Sequence, residues 1–321
     1  MMTPDENVKH ALVISDSGTF AGLSRTLSTS KNILVTGGAG FIGSNIVEAL
    51  LNDERVGIVR VLDSFITGFR KNLVEFHSNE RFELVEGDIT DFDTCLKACK
   101  GINLITHQAA LGSVPRSIAS PLTTNDVNIT GTLNIFQAAV KMGIKRVVFA
   151  ASSSTYGDSE GLPKVEHTIG RPLSPYAVTK LVNELYADVF SRVYNFHTIG
   201  LRYFNIFGPK QNPRNPYAAV IPIFCQAYID GHQPIINGNG ETSRDFTFVE
   251  NAIQANVKAL FSDVKTLSSV VLHNFSPMIP KRFLGLWKKG LETNAYYLKL
   301  CGSGGGGYIL GFTQDLTHAK T

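Results

Sequence analysis

Cysteine, tryptophan and methionine are scarce in this sequence, whose 321 residues include four Cys, one Trp and four Met. The four cysteines of this long chain suggest no disulfide framework. Cys95 and Cys99 lie one helical turn apart in DFDTCLKACK, and no histidines accompany them at the spacing of a metal site, so helix packing explains them better than metal binding. The sequence therefore predicts reduced cysteines, no metal site and a cytoplasmic protein.

A large excess of one charge and long apolar runs are also missing. Lys and Arg together number 30 against 27 Asp and Glu, and no basic run occurs, so we expect no nucleic-acid partner. No stretch approaches the roughly 20 apolar residues that a spanning helix needs, so no membrane partner is expected. Residues 1–30 lack a basic region followed by an apolar core, and we interpret them as an N-terminal extension.

From residue 31 onward, short apolar segments alternate with stretches of helical periodicity. The segments that predict strands are NILVTGG, VGIVRVLD, RFELVEGD, INLITHQA, RVVFAAS and HTIGLRY. Long helical patterns lie between them, including SPLTTNDVNITGTLNIFQAAVKMG and SPYAVTKLVNELYADVFSRVY. This alternation predicts an α/β fold with a doubly wound parallel sheet, which binds ligands beyond the carboxyl ends of its strands.

The first predicted strand and helix meet in the glycine-rich sequence TGGAGFIG. Gly37 suits the tight turn, Gly40 lets a pyrophosphate approach the backbone, and Gly43 lets helix and strand pack closely. The helix N-terminus offers free N–H groups to phosphates. Asp63 ends the next predicted strand, where its carboxylate can bind a ribose diol and would repel a 2′-phosphate. The sequence therefore predicts a dinucleotide site with NAD, in preference to NADP, as the cofactor.

A second motif, Tyr176-x-x-x-Lys180, follows a serine-rich strand end. The two side chains lie on the same face of a predicted helix. A phenol is a weak base at neutral pH, but a nearby ammonium and the positive charge of an oxidised nicotinamide would lower its pKa. With a serine hydroxyl nearby, the group suits removal of an alcohol proton while hydride leaves the same carbon. The alternative is a solvated surface pair.

Several long motifs resemble those of the extended short-chain dehydrogenase/reductase family, UDP-hexose 4-epimerase type. The resemblance is closest to the branch that acts on UDP-N-acetylglucosamine and UDP-N-acetylgalactosamine. The motifs are LVTGGAGFIGSN, HQAALGSVPRS, AASSSTYGD, LSPYAVTK, LRYFNIFGP and NGNGETSRDF, within roughly residues 31–262. The resemblance implies an NAD-binding Rossmann fold, a UDP-sugar substrate, a homodimer and epimerisation through a 4-keto sugar.

Roles of individual residues follow from the same resemblance. It implies catalysis by Ser152, Tyr176 and Lys180. It implies cofactor binding by Gly37, Gly40, Phe41, Ile42, Gly43, Asp63, Asp88, Ile89, Gln108, Ala109, Ala110, Tyr176 and Lys180, with His107 beside them. It implies substrate binding by Gly112, Ser113, Arg116, Ser153, Ser154, Asn205, Gln211, Ala219, Val220 and Arg244. The small residues Gly112 and Ala219 are expected to leave room for an acetamido group.

The resemblance also implies a division of the chain into regions. We expect an NAD-binding domain at 31–205, with 245–262 packing back on it, and a substrate-binding region at 206–321. From about residue 263 the family pattern disappears, so the substrate domain is expected to be small and incomplete. There we expect a strand in SSVVLHNFS, one amphipathic helix in FLGLWKKGLETNAYYLKL interrupted by Gly285 and Gly290, and a linker in GSGGGG.

Two alternatives to a working epimerase remain. A shifted reading frame, a misjudged exon or a truncation would explain the unusual tail, and the chain would then bind NAD with impaired catalysis. A nucleotide-sugar dehydratase is the second alternative. Such enzymes carry an acidic pair just after the catalytic hydroxyl, where this chain has Ser153 and Ser154, and hydroxyls are poor general acids.

Overall fold

The computed structural model describes most of the chain between Ser30 and Thr313. The described residues are 30–166, 168–194, 196–213, 219–236, 238–241, 243–261, 281–293, 296–300 and 309–313. The N-terminal extension, the strand predicted in SSVVLHNFS and the glycine-rich linker lie outside them.

Six parallel strands form the central sheet. They are β1 (Lys31–Thr36), β2 (Val56–Asp63), β3 (Phe82–Glu86), β4 (Leu104–His107), β5 (Arg146–Ser152) and β6 (His197–Tyr203). Their spatial order is β3-β2-β1-β4-β5-β6, so the direction of winding reverses between β1 and β4. Every strand that the alternating pattern predicted is present and parallel, which confirms the doubly wound α/β fold.

Helices connect these strands and cover both faces of the sheet. They are α1 (Phe41–Leu51), α2 (Phe92–Cys99), α3 (Val114–Ala119), α4 (Pro121–Asn125), α5 (Gly131–Lys141) and α6 (Pro175–Tyr194). A π-helical turn, Asp126–Thr130, joins α4 to α5, and a short 3-10 helix, Ser153–Tyr156, follows β5. No helix among the described residues is both long and apolar enough to cross a membrane.

The core has two halves because successive side chains of a strand point to opposite faces. Along β1, Ile33 and Val35 belong to one buried cluster and Leu34 to the other. The first cluster includes Leu50 of α1, and the second includes Phe136 of α5. Burial on both faces explains why β1 and β5 are almost continuously apolar in sequence.

The two cysteines of α2 belong to the second half of the core. Cys95 and Cys99 are fully buried, and burial raises the pKa of each thiol to about 12. Both thiols are therefore protonated at neutral pH and act as small apolar side chains. This placement confirms that helix packing accounts for their spacing.

The chain after β6 leaves the sheet and returns to it. Two short strands, β7 (Asn205–Phe207) and β8 (Phe246–Phe248), pair in parallel, with α7 (Val220–Ile229) between them in sequence. The next helix, α8 (Val249–Phe261), packs against the face that α1 also covers. Its Leu260 is buried there, and Arg146 of β5 donates a hydrogen bond to the Leu260 carbonyl at 3.1 Å.

The prediction of one helix in FLGLWKKGLETNAYYLKL was wrong in its second half. Helix α9 (Lys281–Thr293) runs through Gly285 and Gly290 without interruption but ends at Thr293. The segment YYLKL is strand β9 (Tyr296–Leu300), which pairs antiparallel with β10 (Ile309–Thr313). Adjacent tyrosines favour an extended backbone, and pairing with a second strand supplies the hydrogen bonds that one local pattern cannot reveal.

Candidate active site

A cavity of about 570 Å³ opens at the carboxyl ends of the strands, where the winding of the sheet reverses. All predicted cofactor-binding residues line it: Gly37, Gly40, Phe41, Ile42, Gly43, Asp63, Asp88, Ile89, Gln108, Ala109, Ala110, Tyr176 and Lys180. Of the remaining predicted site residues, Ser152, Gly112, Ser113, Arg116, Ser153, Asn205 and Ala219 also line it. The fold therefore gathers residues from most of the NAD-binding region around one space.

Four predicted substrate residues lie outside this cavity. Ser154 turns toward Ser152. Gln211 donates to the Ile206 carbonyl at 3.2 Å and lines a separate, smaller cavity. Val220 begins α7 with its side chain exposed, and the exposed Arg244 donates to the carbonyl of its neighbour Ser243. His107, expected beside the pyrophosphate, is buried between Thr36 of β1 and Thr132 of α5.

The loop between β1 and α1 has the shape that a dinucleotide phosphate needs. Gly37 has φ +70°, and a Cβ there would lie 2.6 Å from the Ala109 amide nitrogen. A Cβ on Gly43 would overlap the carbonyl oxygen of Gly37. Glycine at both positions lets α1 begin close against the loop, so its first N–H groups border the cavity without side chains in front of them.

Asp63 sits at the end of β2 with most of its side chain buried. One carboxylate oxygen accepts from the Ala39 amide and the other from the Phe65 amide, each at 2.8 Å. Burial raises the pKa of Asp63, while these two hydrogen bonds act to lower it. Because an ionised carboxylate has about four acceptor sites, two remain to accept hydroxyl donors from the cavity. The site therefore fits a ribose diol.

Tyr176 and Lys180 face the cavity from the first turns of α6. Lys180 is almost fully buried and donates from Nζ to the Ala150 carbonyl at 2.8 Å, while Nζ lies 5.8 Å from the centre of the Tyr176 ring. Burial lowers the pKa of Lys180 to about 8. The ammonium is thus tied to β5 and remains close to the phenol.

Two opposing influences act on the pKa of Tyr176. Burial raises it, whereas a hydrogen bond with the Ser152 side chain acts to lower it. The sequence-based expectation of a lowered pKa depends on two positive charges, the Lys180 ammonium and an oxidised nicotinamide, and it stays a prediction.

A polar network that runs from the cavity wall to α8 was not predicted from the sequence. Gln108 donates to Thr106 at 2.8 Å and to Asn256 at 3.1 Å, and its carbonyl accepts from the Tyr203 hydroxyl at 3.1 Å. Asn256 of α8 donates in turn to Tyr203 at 2.6 Å. Burial raises the pKa of Tyr203 to about 12, so it stays neutral. The position of Tyr203 at a strand end was the available signal, but its partners are distant in sequence.

The fold and this cavity together define an enzyme of the dinucleotide-binding Rossmann class. Residues 33–268 match the NAD dependent epimerase/dehydratase family, and the chain belongs to that family. It is 39% identical over 230 residues to a putative UDP-glucose 4-epimerase of Methanocaldococcus jannaschii, a match that covers 71% of this chain and 73% of the relative. The match confirms the resemblance inferred from the motifs.

Solved structures agree with this assignment. A UDP-N-acetylglucosamine 4-epimerase from Methanobrevibacter ruminantium, in complex with UDP-N-acetylmuramic acid, is 42% identical with a TM-score of 0.69, covering 73% of this chain and 74% of that one. The Thermus thermophilus UDP-glucose 4-epimerase in complex with NAD is 34% identical with a TM-score of 0.65, covering 72% and 75%. The cofactor of this family is NAD, and the glycine loop and Asp63 of this chain fit it.

Proposed function

We propose that this chain is a 4-epimerase that interconverts UDP-N-acetylglucosamine and UDP-N-acetylgalactosamine, with UDP-glucose and UDP-galactose as the alternative pair. The observation that carries the proposal is the arrangement around one cavity: Ser152, Tyr176 and Lys180 border the same space as the glycine loop and Asp63. A hydroxyl group that approaches Tyr176 would therefore also lie near the cofactor site.

The proposed roles follow from the chemistry of these side chains. Bound NAD supplies a reversible hydride acceptor and a positive charge. Tyr176 takes the proton of the sugar 4-hydroxyl as hydride leaves the same carbon, and it returns that proton after the 4-keto sugar has turned over. Ser152 donates a hydrogen bond to the phenolate, and the Lys180 ammonium favours the charged form of the tyrosine.

Two small wall residues support the choice of acetamido sugars. A Cβ placed on Gly112 would meet no heavy atom within 4 Å, so the wall there is open. Ala219 lines the same cavity with only a methyl group. The similarity to a UDP-N-acetylglucosamine 4-epimerase points in the same direction. Room for the extra acetyl group is the feature that would favour these substrates over UDP-glucose.

Dehydration is the less favoured reaction. The family description includes dehydratases, and elimination needs an acid that protonates the departing hydroxyl. Ser153, which follows Ser152 and borders the cavity, has no acidic proton of suitable strength. The absence of a carboxyl group at Ser153 and Ser154 therefore supports epimerisation.

We also propose that residues 31–205 and 245–262 form the NAD-binding unit and residues 206–321 the substrate region. The family match covers residues 33–268. Arg244, the expected partner of the diphosphate, is exposed outside the cavity and donates to the Ser243 carbonyl. Impaired turnover with retained NAD binding is therefore the second candidate function.

Turnover by the purified full chain separates these candidates. UDP-N-acetylglucosamine and UDP-glucose are supplied in parallel, and the products are separated chromatographically. We expect the acetamido sugar to be epimerised faster, with Tyr176→Phe losing at least about 100-fold in rate. Loss of water from the sugar would instead indicate a dehydratase. NAD binding without conversion of either sugar would establish the impaired chain.

The homodimer is a further part of the proposal. Val178, Leu185, Val189 and Val193 form an exposed apolar stripe along α6, and the Leu185 side chain is 58% exposed. Leu122 of the neighbouring α4 is 84% exposed. Pairing of two such surfaces would bury both stripes. Sedimentation should give a dimer for the natural chain and a monomer for Leu185→Glu, whereas an unchanged dimer would place the interface elsewhere.

A further inference from the structure

The hydroxyl oxygen of Ser152 accepts two hydrogen bonds. It ends β5 and caps the 3-10 helix that follows, so its Oγ accepts from the Ser154 amide at 3.1 Å. The Ser154 hydroxyl donates to the same oxygen at 2.8 Å. A serine oxygen has two acceptor sites and one proton to donate. Ser154 therefore fills both acceptor sites of Ser152.

This occupancy decides the direction of the hydrogen bond between Ser152 and Tyr176. Because the Ser152 oxygen has no acceptor site left, the Tyr176 hydroxyl has no place on it to donate a proton. Ser152 must then donate its own hydroxyl proton to the Tyr176 oxygen. The hydrogen bond between Ser152 and Tyr176 acts to lower the pKa of Tyr176, because a donor facing the phenol oxygen stabilises phenolate over phenol.

We propose that Ser154 is a positioning residue, which fixes Ser152 as the donor and Tyr176 as the acceptor and so prepares Tyr176 to act as the base. Ser154 does not line the cavity, whereas its neighbour Ser153 does. It acts through Ser152, and its donation also polarises the Ser152 hydroxyl. The role deepens the proposed epimerase function and rests on it. It replaces the sugar contact that the family resemblance implied for Ser154.

Two substitutions separate hydrogen-bond direction from packing. Ser154→Ala removes the hydroxyl donor but keeps the backbone amide, so one acceptor site of Ser152 becomes free and the Tyr176 hydroxyl can donate to it. Ser154→Thr retains the hydroxyl and is the conservative variant. Ser153→Ala removes a neighbouring hydroxyl that borders the cavity, and it serves as the contrast.

The first readout is the pH dependence of kcat with the better UDP-sugar. A base acts only when deprotonated, so kcat falls as the pH drops through its pKa. For Ser154→Ala we expect this fall to begin about 0.5 to 1 pH unit higher, the effect of one ordinary hydrogen bond on one protonation state, with KM little changed. Ser154→Thr should restore the profile. Ser153→Ala should change KM and leave the profile in place.

The second readout needs no turnover. Each chain is titrated with alkali while its phenolate absorbance is followed. Subtracting the same titration of the chain that also carries Tyr176→Phe leaves the absorbance of the Tyr176 phenolate. Circular dichroism defines the pH range over which the chains stay folded. Within that range, Ser154→Ala should show less Tyr176 phenolate than the natural chain at the same pH, and Ser154→Thr should match the natural chain.

The two measurements distinguish failure of the proposed function from failure of the proposed role of Ser154. If the natural chain converts no sugar, the proposed function fails while the absorbance titration still tests the role of Ser154. If Ser154→Ala raises KM and leaves both pH profiles unchanged, Ser154 contacts substrate and the proposal is overturned. Equal profiles with equal KM also overturn it, because Ser154 would then have no influence on Tyr176.

Discussion

His107 Nδ1 lies 2.6 Å from Thr36 Oγ1, and this contact joins β1 to β4 at the reversal of the sheet. On the other side of the ring, Nε2 lies 2.9 Å from Thr132 Oγ1, whose hydroxyl donates to the Asn128 carbonyl. Thr132 therefore accepts from Nε2–H, and Nδ1 accepts from the Thr36 hydroxyl. The neutral ring is held in one tautomer beside the cofactor site.

The pH dependence of stability should report this buried histidine. Burial lowers the pKa of His107 to about 3 from 6.5. Between these values the unfolded chain binds a proton that the folded chain does not, so stability is lost as the pH falls through this window. The contribution to the slope of the unfolding free energy approaches about 1.4 kcal/mol per pH unit.

Urea unfolding of the natural chain and of His107→Gln tests this contribution. The variant should be less stable at neutral pH, because it loses the contacts with Thr36 and Thr132, but its stability should decline less steeply on acidification. His197→Gln, at the exposed start of β6, is the matched control. Equal slopes for the natural chain and His107→Gln would contradict the burial of a neutral ring.

Lys180 should affect both stability and activity. Its pKa of about 8, lowered by burial from 10.5, means that the unfolded chain binds the extra proton between these values. Stability therefore gains from this residue as the pH rises from 8 to 10.5. Lys180→Met should remove that gain and reduce kcat at least about 100-fold. Urea unfolding at both ends of the window measures the first effect, and an unchanged pH dependence would show that Lys180 is not desolvated.

Asp63 should govern both the affinity for NAD and the choice against NADP. In Asp63→Asn, an amide group replaces one of the oxygens that accept from Ala39 and Phe65, and the ribose loses a charged acceptor. We expect NAD binding to weaken by about 10- to 100-fold, the value of a hydrogen bond to a charged group. The affinity for NADP should fall less, because the carboxylate that repels its 2′-phosphate has been removed. Calorimetry with both nucleotides measures the ratio, and an equal loss for both would rule out the ribose contact.

Two glycine substitutions should have different consequences. Gly43→Ala places a methyl group on the Gly37 carbonyl, so α1 must shift, and both stability and NAD affinity should fall. Gly112→Ala meets open space, so its unfolding free energy should stay within about 0.5 kcal/mol of the natural value. The added methyl should instead lower kcat/KM for acetamido sugars more than for UDP-glucose. A Gly112→Ala chain with unchanged sugar preference would remove this residue from the pocket wall.

The local sequence was sufficient for the sheet and for much of the site. Short apolar segments between helical patterns predicted all six strands, and those of β1 and β5 are almost continuously apolar because both of their faces are buried. Gly37 and Asp63 were recognised because a left-handed turn and a strand-end carboxylate depend on the residue itself and its near neighbours. The same local reasoning failed in YYLKL, whose strand depends on pairing with residues 309–313.

The sequence by itself determined the order of strands and helices, the glycine loop and the helical spacing of Tyr176 and Lys180. Tertiary structure decided the rest. Gln108 meets Asn256 across 148 residues, a contact that no local pattern encodes. Burial raised the pKa of Tyr176, because desolvation depends on everything packed around a group. The turn after β5 directs Ser154 toward Ser152, whereas Ser153 lines the cavity. Only the backbone geometry distinguishes these two adjacent serines.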